Sequence, residues 1–182
     1  MATELMGFEI TSAWLIWMLP FAAALIMPGI GKLSQNAAKY VAVGFALMSA
    51  VSAASLIPLA LEAGEVHSQL MWIEALGIKA GVLADPLSII MANVVAWISF
   101  LIMIYSTGYM KGDKDITRFW FWMMFFIGSM QLIVLSDNLL QVFFGWEGVG
   151  LASYALISFW YRDKKKDHVG TEGRTVLGML DY

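Results

Sequence analysis

The chain has 182 residues, 60% of them hydrophobic and 14% charged, with a formal net charge of −3 and no cysteine. A soluble domain is about half apolar and about a quarter charged, so this composition excludes an ordinary water-facing globule and points to an integral membrane protein. The charge balance shows no nucleic-acid binder, and the lack of cysteine excludes disulfides, thiolate zinc sites and cysteine-ligated iron–sulfur clusters within the chain.

A bilayer core about 30 Å thick needs roughly 20 mostly apolar residues per helical span. Five stretches qualify, at 12–30, 38–61, 86–107, 119–135 and 139–161. The predicted fold class is therefore all-α, a multi-pass transmembrane helical bundle; continuous apolar runs of this kind are not barrel strands. Glu4 and Glu9 stand where a secretory leader would be basic, so the first span is expected to be retained. Pro20 and Pro58 fall inside the first two spans, where lipid-embedded helices tolerate proline. Short apolar runs around Gly77 and Gly81 predict a small extracytoplasmic hairpin at 69–85. Asp85-Pro86 reads as an N-cap followed by proline at the first helical position. Asp115 or Thr117 is expected to cap the fourth span. The Ser136-Asp137-Asn138 run predicts a tight turn that caps the fifth, with Asp137 read as a cap rather than a proton relay. Residues 1–161 form the transmembrane part; 162–182, polar and charged, read as a cytoplasmic-side loop cut short.

Lysine and arginine positions set the expected direction. With the N-terminus outside, inner loops hold Lys32, Lys39, Lys111, Lys114, Arg118, Arg162, Lys164, Lys165, Lys166 and Arg174, against Lys79 alone outside. That asymmetry predicts N-out, C-in. Tyr105, Tyr109, Trp120, Trp122, Trp160 and Tyr161 fall at the inner boundary and Trp14 and Trp17 at the outer one, a pattern that reads as headgroup anchoring. The glycines of GWEGVG lack the dinucleotide spacing, and GTEGRT lacks the lysine of a phosphate loop. His67 and His168 are isolated and predict no metal site, and the KKK run reads as a positive-inside anchor.

One ionisable residue is costly. Glu147 lies ten residues beyond Asp137, about 15 Å along the helix and close to the bilayer midplane. An acid at that depth faces protein or water and is a functional candidate by default. A carboxyl in low dielectric keeps its proton, and one beside a cation releases it. A glutamate whose distance to a lysine or arginine changes can therefore load and release a proton, although one carboxyl does not make a channel. The cation is expected from sequence outside this chain. Around it, Gly145, Gly148, Gly150 and Ala152 read as helix-packing positions, Gly148 and Ala152 forming a small-xxx-small pair. Tyr154 lies seven positions on, on the same face and about 10 Å along. With Ser153 it is a candidate to support a hydrated path, or simply to pack.

The stretches YSTGYMKGD, RFWFWMMFFIGSM and LSDNLLQVFFGWEGVGLASYALISFWYRD, with LADPLS after the hairpin, resemble the antiporter-like membrane subunits of respiratory complex I. The resemblance covers roughly 83–163 and is nearest to the L-type branch, the counterpart of mitochondrial subunit five; it extends to the A subunit of Mrp sodium/proton antiporters. It implies a proton-translocating subunit of a donor:quinone oxidoreductase, built on two inverted repeats and sitting in a prokaryotic inner membrane. It implies that Glu147 is the essential glutamate of the fifth helix, paired with a lysine on a later helix. It further implies other membrane subunits and the lipid bilayer as partners, no cofactor in this chain, and flavin, iron–sulfur clusters and quinone in partner subunits. The chain is then expected to be the N-terminal part of a longer subunit, without a redox site of its own. Two other readings stand beside it: a subunit of a cation/proton antiporter without electron transfer, and a structural membrane scaffold in which Glu147 only joins helices.

Overall fold

A computed structural model describes residues 2–62, 64–74 and 78–160 of the chain. The elements run α1 (Ala2–Leu33), α2 (Gln35–Ala54), α3 (Ile57–Leu61), β1 (Val66–Ile73), β2 (Ile78–Ala84), α4 (Pro86–Tyr109), α5 (Ile116–Leu135) and α6 (Leu139–Ile157). Five helical segments, with α2 and α3 taken together, are long and apolar enough to cross a membrane. The predicted loop at 162–182, with the KKK run and His168, lies outside the described residues.

Most span boundaries shift by a few residues, each for a local reason. The first helix begins ten residues before the predicted span, because Glu4 and Glu9 limit the apolar stretch without limiting the helix. The second span is not one helix. It breaks at Ser55 and Leu56, after Ala54, which is four residues before Pro58. Proline has no N–H for that carbonyl and its ring crowds it. On α4, the Asn93 amide donates to the Ala53 carbonyl beside the break at 2.8 Å. The fifth span ends at Ile157 rather than 161.

Helix α4 starts as the sequence predicts. Asp85 accepts from the Ser88 N–H at 2.7 Å, Ser88 Oγ accepts from the Asp85 N–H at 2.9 Å, and Pro86 follows the cap. The Ser88 hydroxyl and then its backbone N–H hold the Asp85 carboxyl below the usual carboxylate range. The expected caps of α5 do not form in this way. Asp115 occupies the N-cap position without a side-chain capping hydrogen bond, its carboxylate lying 3.7 Å from Arg118, and Thr117 instead leans over Gly31 of α1, where a Cβ would collide with it.

Helix α1 packs on α2 and α5, α2 on α4, and α5 on α4 and α6. Between them lie two apolar clusters. One holds Met27, Ala42, Met103, Trp120, Met124 and Phe159; the other, toward the hairpin, holds Ile16, Ala50, Leu56, Val82, Ile89 and Leu135. The buried face of α2 is made of Ala38, Ala42, Ala46, Ser49, Ala50 and Ala53, small residues that let neighbouring backbones approach. Polar side chains join the helices inside the bundle. Ser49 Oγ donates to the Ile16 carbonyl at 2.6 Å, and Gln131 Nε2 donates to the Ala92 carbonyl at 3.0 Å.

The aromatic reading needs one correction. Trp120 is fully buried in the core rather than anchored at the headgroups. A tryptophan near a helix end carries no mark of which way the helix turns it. On the hairpin side, Trp14 Nε1 donates to Ser68 Oγ at 3.2 Å.

The strand pair forms as an antiparallel hairpin, beginning at Val66 rather than 69. Val66, Val82 and Ala84 are buried against the bundle, and Val82 also bridges to Ser136 in the turn between α5 and α6.

Candidate functional site

The site is carried by α6, and its surroundings follow from where that helix puts its small residues. Gln141, Gly145, Gly148 and Ala152 form its buried stripe, spaced by four and three residues so that they share one face. At Gly145 a Cβ would lie 2.7 Å from Ile133 Cγ1 and 3.1 Å from the Ser129 carbonyl oxygen. At Gly148 it would collide with the Ser129 hydroxyl. Both glycines therefore let α6 lie directly on α5. Gly150 differs: nothing among the described residues comes within 4 Å of its Cβ position. It makes no packing contact here because it is turned away from α5.

Glu147 is exposed on the face of α6 that α5 does not cover, about 130° around the axis from the centre of the buried stripe. Ser129, which meets Gly145 and Gly148, lies well inside α5, so Glu147 sits at mid-helix depth. The Lys and Arg residues of the described helices, Lys32, Lys39 and Arg118, fall in terminal turns, so none stands at that depth. Phe143, Phe144 and Leu151 flank Glu147 and are exposed with it. Tyr154 falls about 20° from Glu147 around the axis, two turns along, whereas Ser153 is turned about 120° away; both are half-buried. The structure thus brings Tyr154 to the face of Glu147 and does not bring Ser153 there.

Both ends of α6 are tied down. At its C-terminal end, the Arg118 guanidinium donates to the Phe159 carbonyl and lies 4.7 Å from the Phe159 ring centre. Trp160 Nε1 donates to the Asp113 carboxylate at 2.9 Å. At the N-terminal end, Asn138 is the cap, its side chain accepting from the Gln141 N–H at 2.9 Å. Asp137, expected as the cap, instead faces the hairpin. Its side chain is only 3% exposed and lies 3.2 Å from His67, which is 49% exposed; it accepts from Gln69 Nε2 at 2.7 Å. Burial works to raise the Asp137 carboxyl. Hydrogen bonds from Asn138, Gln69 and His67, with the attraction of His67, outweigh it and hold the group below the usual carboxylate range.

The sequence reading passed over Gln131 and Gln141. Both are buried amides in apolar helices, and a glutamine inside a membrane span was the available signal. Among the described residues, no cluster of three or more His, Cys, Asp or Glu is placed to hold a metal ion.

A five-span bundle with a mid-depth carboxyl on a helix face that α5 leaves uncovered defines a multi-pass integral membrane protein. Residues 71–120 match the family described as NADH-Ubiquinone oxidoreductase (complex I), chain 5 N-terminus, and residues 136–172, which include Glu147, match NADH:quinone oxidoreductase/Mrp antiporter, TM. Over these two stretches the chain is similar to the antiporter-like membrane subunits, L-type and Mrp A-like. It is 40% identical over 173 residues to NADH-quinone oxidoreductase subunit L of Rickettsia conorii, covering 92% of this chain and 26% of the relative. It therefore spans about a quarter of the length of that relative. Its fold is similar to a chain of the Mrp complex from Dietzia sp. DQ12-45-1b, with a TM-score of 0.66 and 26% identity over 80% of this chain and 16% of the other. A chain of the membrane-bound sulfane sulfur reductase, an archaeal respiratory membrane complex, shares the fold at a TM-score of 0.75 and 14% identity, covering 92% and 34%.

Proposed function

We propose that this chain forms the N-terminal part of a proton-translocating subunit in a complex I-like donor:quinone oxidoreductase, and that Glu147 is the group that takes up and releases the proton. The observation that carries this reading is the placement of Glu147: a carboxyl at mid-helix depth on the one face of α6 turned away from α5. In lipid, that face would cost a few kcal/mol, so it is built to be covered by helices that supply water and a cation. A cation approaching the carboxyl favours the anion and expels the proton; its withdrawal favours reprotonation. Tyr154, on the same face, supports a hydrated path; Gly145, Gly148 and Ala152 hold the helix in place, and Ser153 packs. The subunit lies in a bacterial inner membrane with its N-terminus outside, so the hairpin is extracytoplasmic. Flavin, iron–sulfur clusters and quinone belong to partner subunits, and no redox step passes through these residues.

A second reading, ion exchange without electron transfer, is favoured by the likeness to the Mrp complex. One experiment addresses both. Glu147→Gln in the full-length subunit, within the assembled complex in proteoliposomes, is expected to reduce proton pumping to the passive leak while assembly is unchanged. Pumping at the wild-type rate would overturn the role of Glu147. Proton movement driven by a sodium gradient, with no response to an electron donor, would select the antiporter reading.

A further inference from the structure

Packing on α5 is one of the contacts that hold α6. Beyond Gln141 its contact stripe is glycine and alanine, which settle against Ile133 and Ser129 and fix how closely the helices lie but carry no polar side chain of their own. Polar bonds to the hairpin supply what the stripe lacks. The Gly81 N–H donates to Gln141 Oε1 at 2.9 Å in a buried position, and Asn138 Nδ2 donates to the Lys79 carbonyl at 3.0 Å. Asp137 accepts from Gln69 of the opposite strand. Trp72 near the hairpin tip packs edge-on against Phe144, with ring centres 5.3 Å apart, one turn from Glu147 on its side of the helix.

These partners lie on both strands and on the turn and first turns of α6. Gly81 is required at the crossing, since a Cβ there would collide with the Asp137 carboxylate. Sliding or rotating α6 by a fraction of a turn would break the bonds together and take from Gln141 Oε1 and Asp137 Oδ2 their donors on the hairpin, a cost of about 1–3 kcal/mol for each buried group left without one. Gln141 lies six residues before Glu147, about 9 Å along a stiff helix, so a register fixed at one is transmitted to the other.

We infer that Asp137 and Gln141 are positioning residues that set the depth and rotation of Glu147, with the hairpin as the rigid element that holds them. The inference rests on the reading of Glu147 as the proton-carrying group. The groups facing Asp137 are His67 and Gln69 from β1 and Asn138 from its own turn. Because its carboxyl is held below the usual range, the stabilisation is present above ordinary carboxylate pH and lost only as pH falls through the depressed value. The clamp is thus closed at neutral pH.

The test uses Gln69→Cys with Asp137→Cys in the full-length subunit of the assembled complex; residues 1–182 add no other thiol, and complex without the two substitutions, treated with the same reagents, controls for thiols elsewhere in the assembly. The two thiols are bridged by a short bis-methanethiosulfonate reagent and released by dithiothreitol. Unbridged complex is expected to pump several-fold more slowly, with a displaced pH profile. Bridging is expected to restore the wild-type profile and release to displace it again. Identical profiles with and without the bridge would overturn the inference, as would failure to assemble, which would assign these bonds to folding alone. Wild-type pumping by Glu147→Gln would remove the parent reading instead.

Discussion

Gly145→Leu is expected to separate α6 from α5 and to strip the assembled subunit from the membrane. The added side chain would meet Ile133 and, more seriously, the Ser129 carbonyl and the Ile133 nitrogen at 3.1 and 3.2 Å. Side chains yield by changing rotamer, but backbone inside a helix does not. Overpacking a well-filled contact costs about 1–3 kcal/mol where side chains can move, and a clash with main chain lies at or above the top of that range. Helix association in lipid draws on close packing rather than on escape from water, so no hydrophobic gain from the added methyls offsets the loss. Blue-native electrophoresis of solubilised membranes would check it, with assembled complex strongly depleted in the variant. The same substitution at Gly150 would leave the α5–α6 contact intact, since that position is turned away from α5.

Trp120→Ala is expected to destabilise the bundle by about 3 kcal/mol. Trp120 is fully buried in the cluster shared by α1, α2, α4 and α5, and its ring lies 5.2 Å from that of Phe119. Removing a buried tryptophan costs about 3–5 kcal/mol in soluble proteins, from lost transfer energy and from the cavity left behind. Within a membrane the transfer part shrinks and the cavity part remains, which places the expected effect at the lower end. A fall in the thermal denaturation midpoint in detergent would measure it. A midpoint unchanged by the substitution would return Trp120 to the headgroup role that its place in the sequence suggested.

What the sequence made legible was whatever depends on composition over a turn or more. Twenty-residue apolar runs located the spans, Asp85-Pro86 located the start of α4, and alternating short runs with glycine located the hairpin. What it hid depends on direction. Hydropathy marks where a helix enters lipid, not where it begins, so the first turns of α1 were missed. The break before Pro58 was hidden because Pro20 and Pro28 sit in α1 without interrupting it; proline alone does not decide, and the neighbouring helix that stabilises a broken end is known only in three dimensions. Trp120 and Trp122 look alike in sequence, yet one is core and the other half-buried.

The same division runs through the candidate site. That Glu147 is exceptional follows from its charge in an apolar run. The helix period orders the residues around it, turning Gly145 and Gly148 away from its face and Tyr154 toward it. Which face meets α5 required the fold. The role of Asp137 was misplaced because the Ser-Asp-Asn run offers three capping residues and only register chooses among them. Once Asn138 takes the cap, Asp137 is free to meet a strand about seventy positions earlier in the chain. No local rule announces a contact of that range.

The most direct measurement is the protonation of Glu147 itself, by infrared difference spectroscopy on the assembled complex in lipid during donor-driven turnover. The account predicts a protonated-carboxyl stretch that appears and disappears with the pumping cycle and is absent in Glu147→Gln. Sustained pumping with no carboxyl band assignable to Glu147, or with that band unchanged throughout, would contradict it.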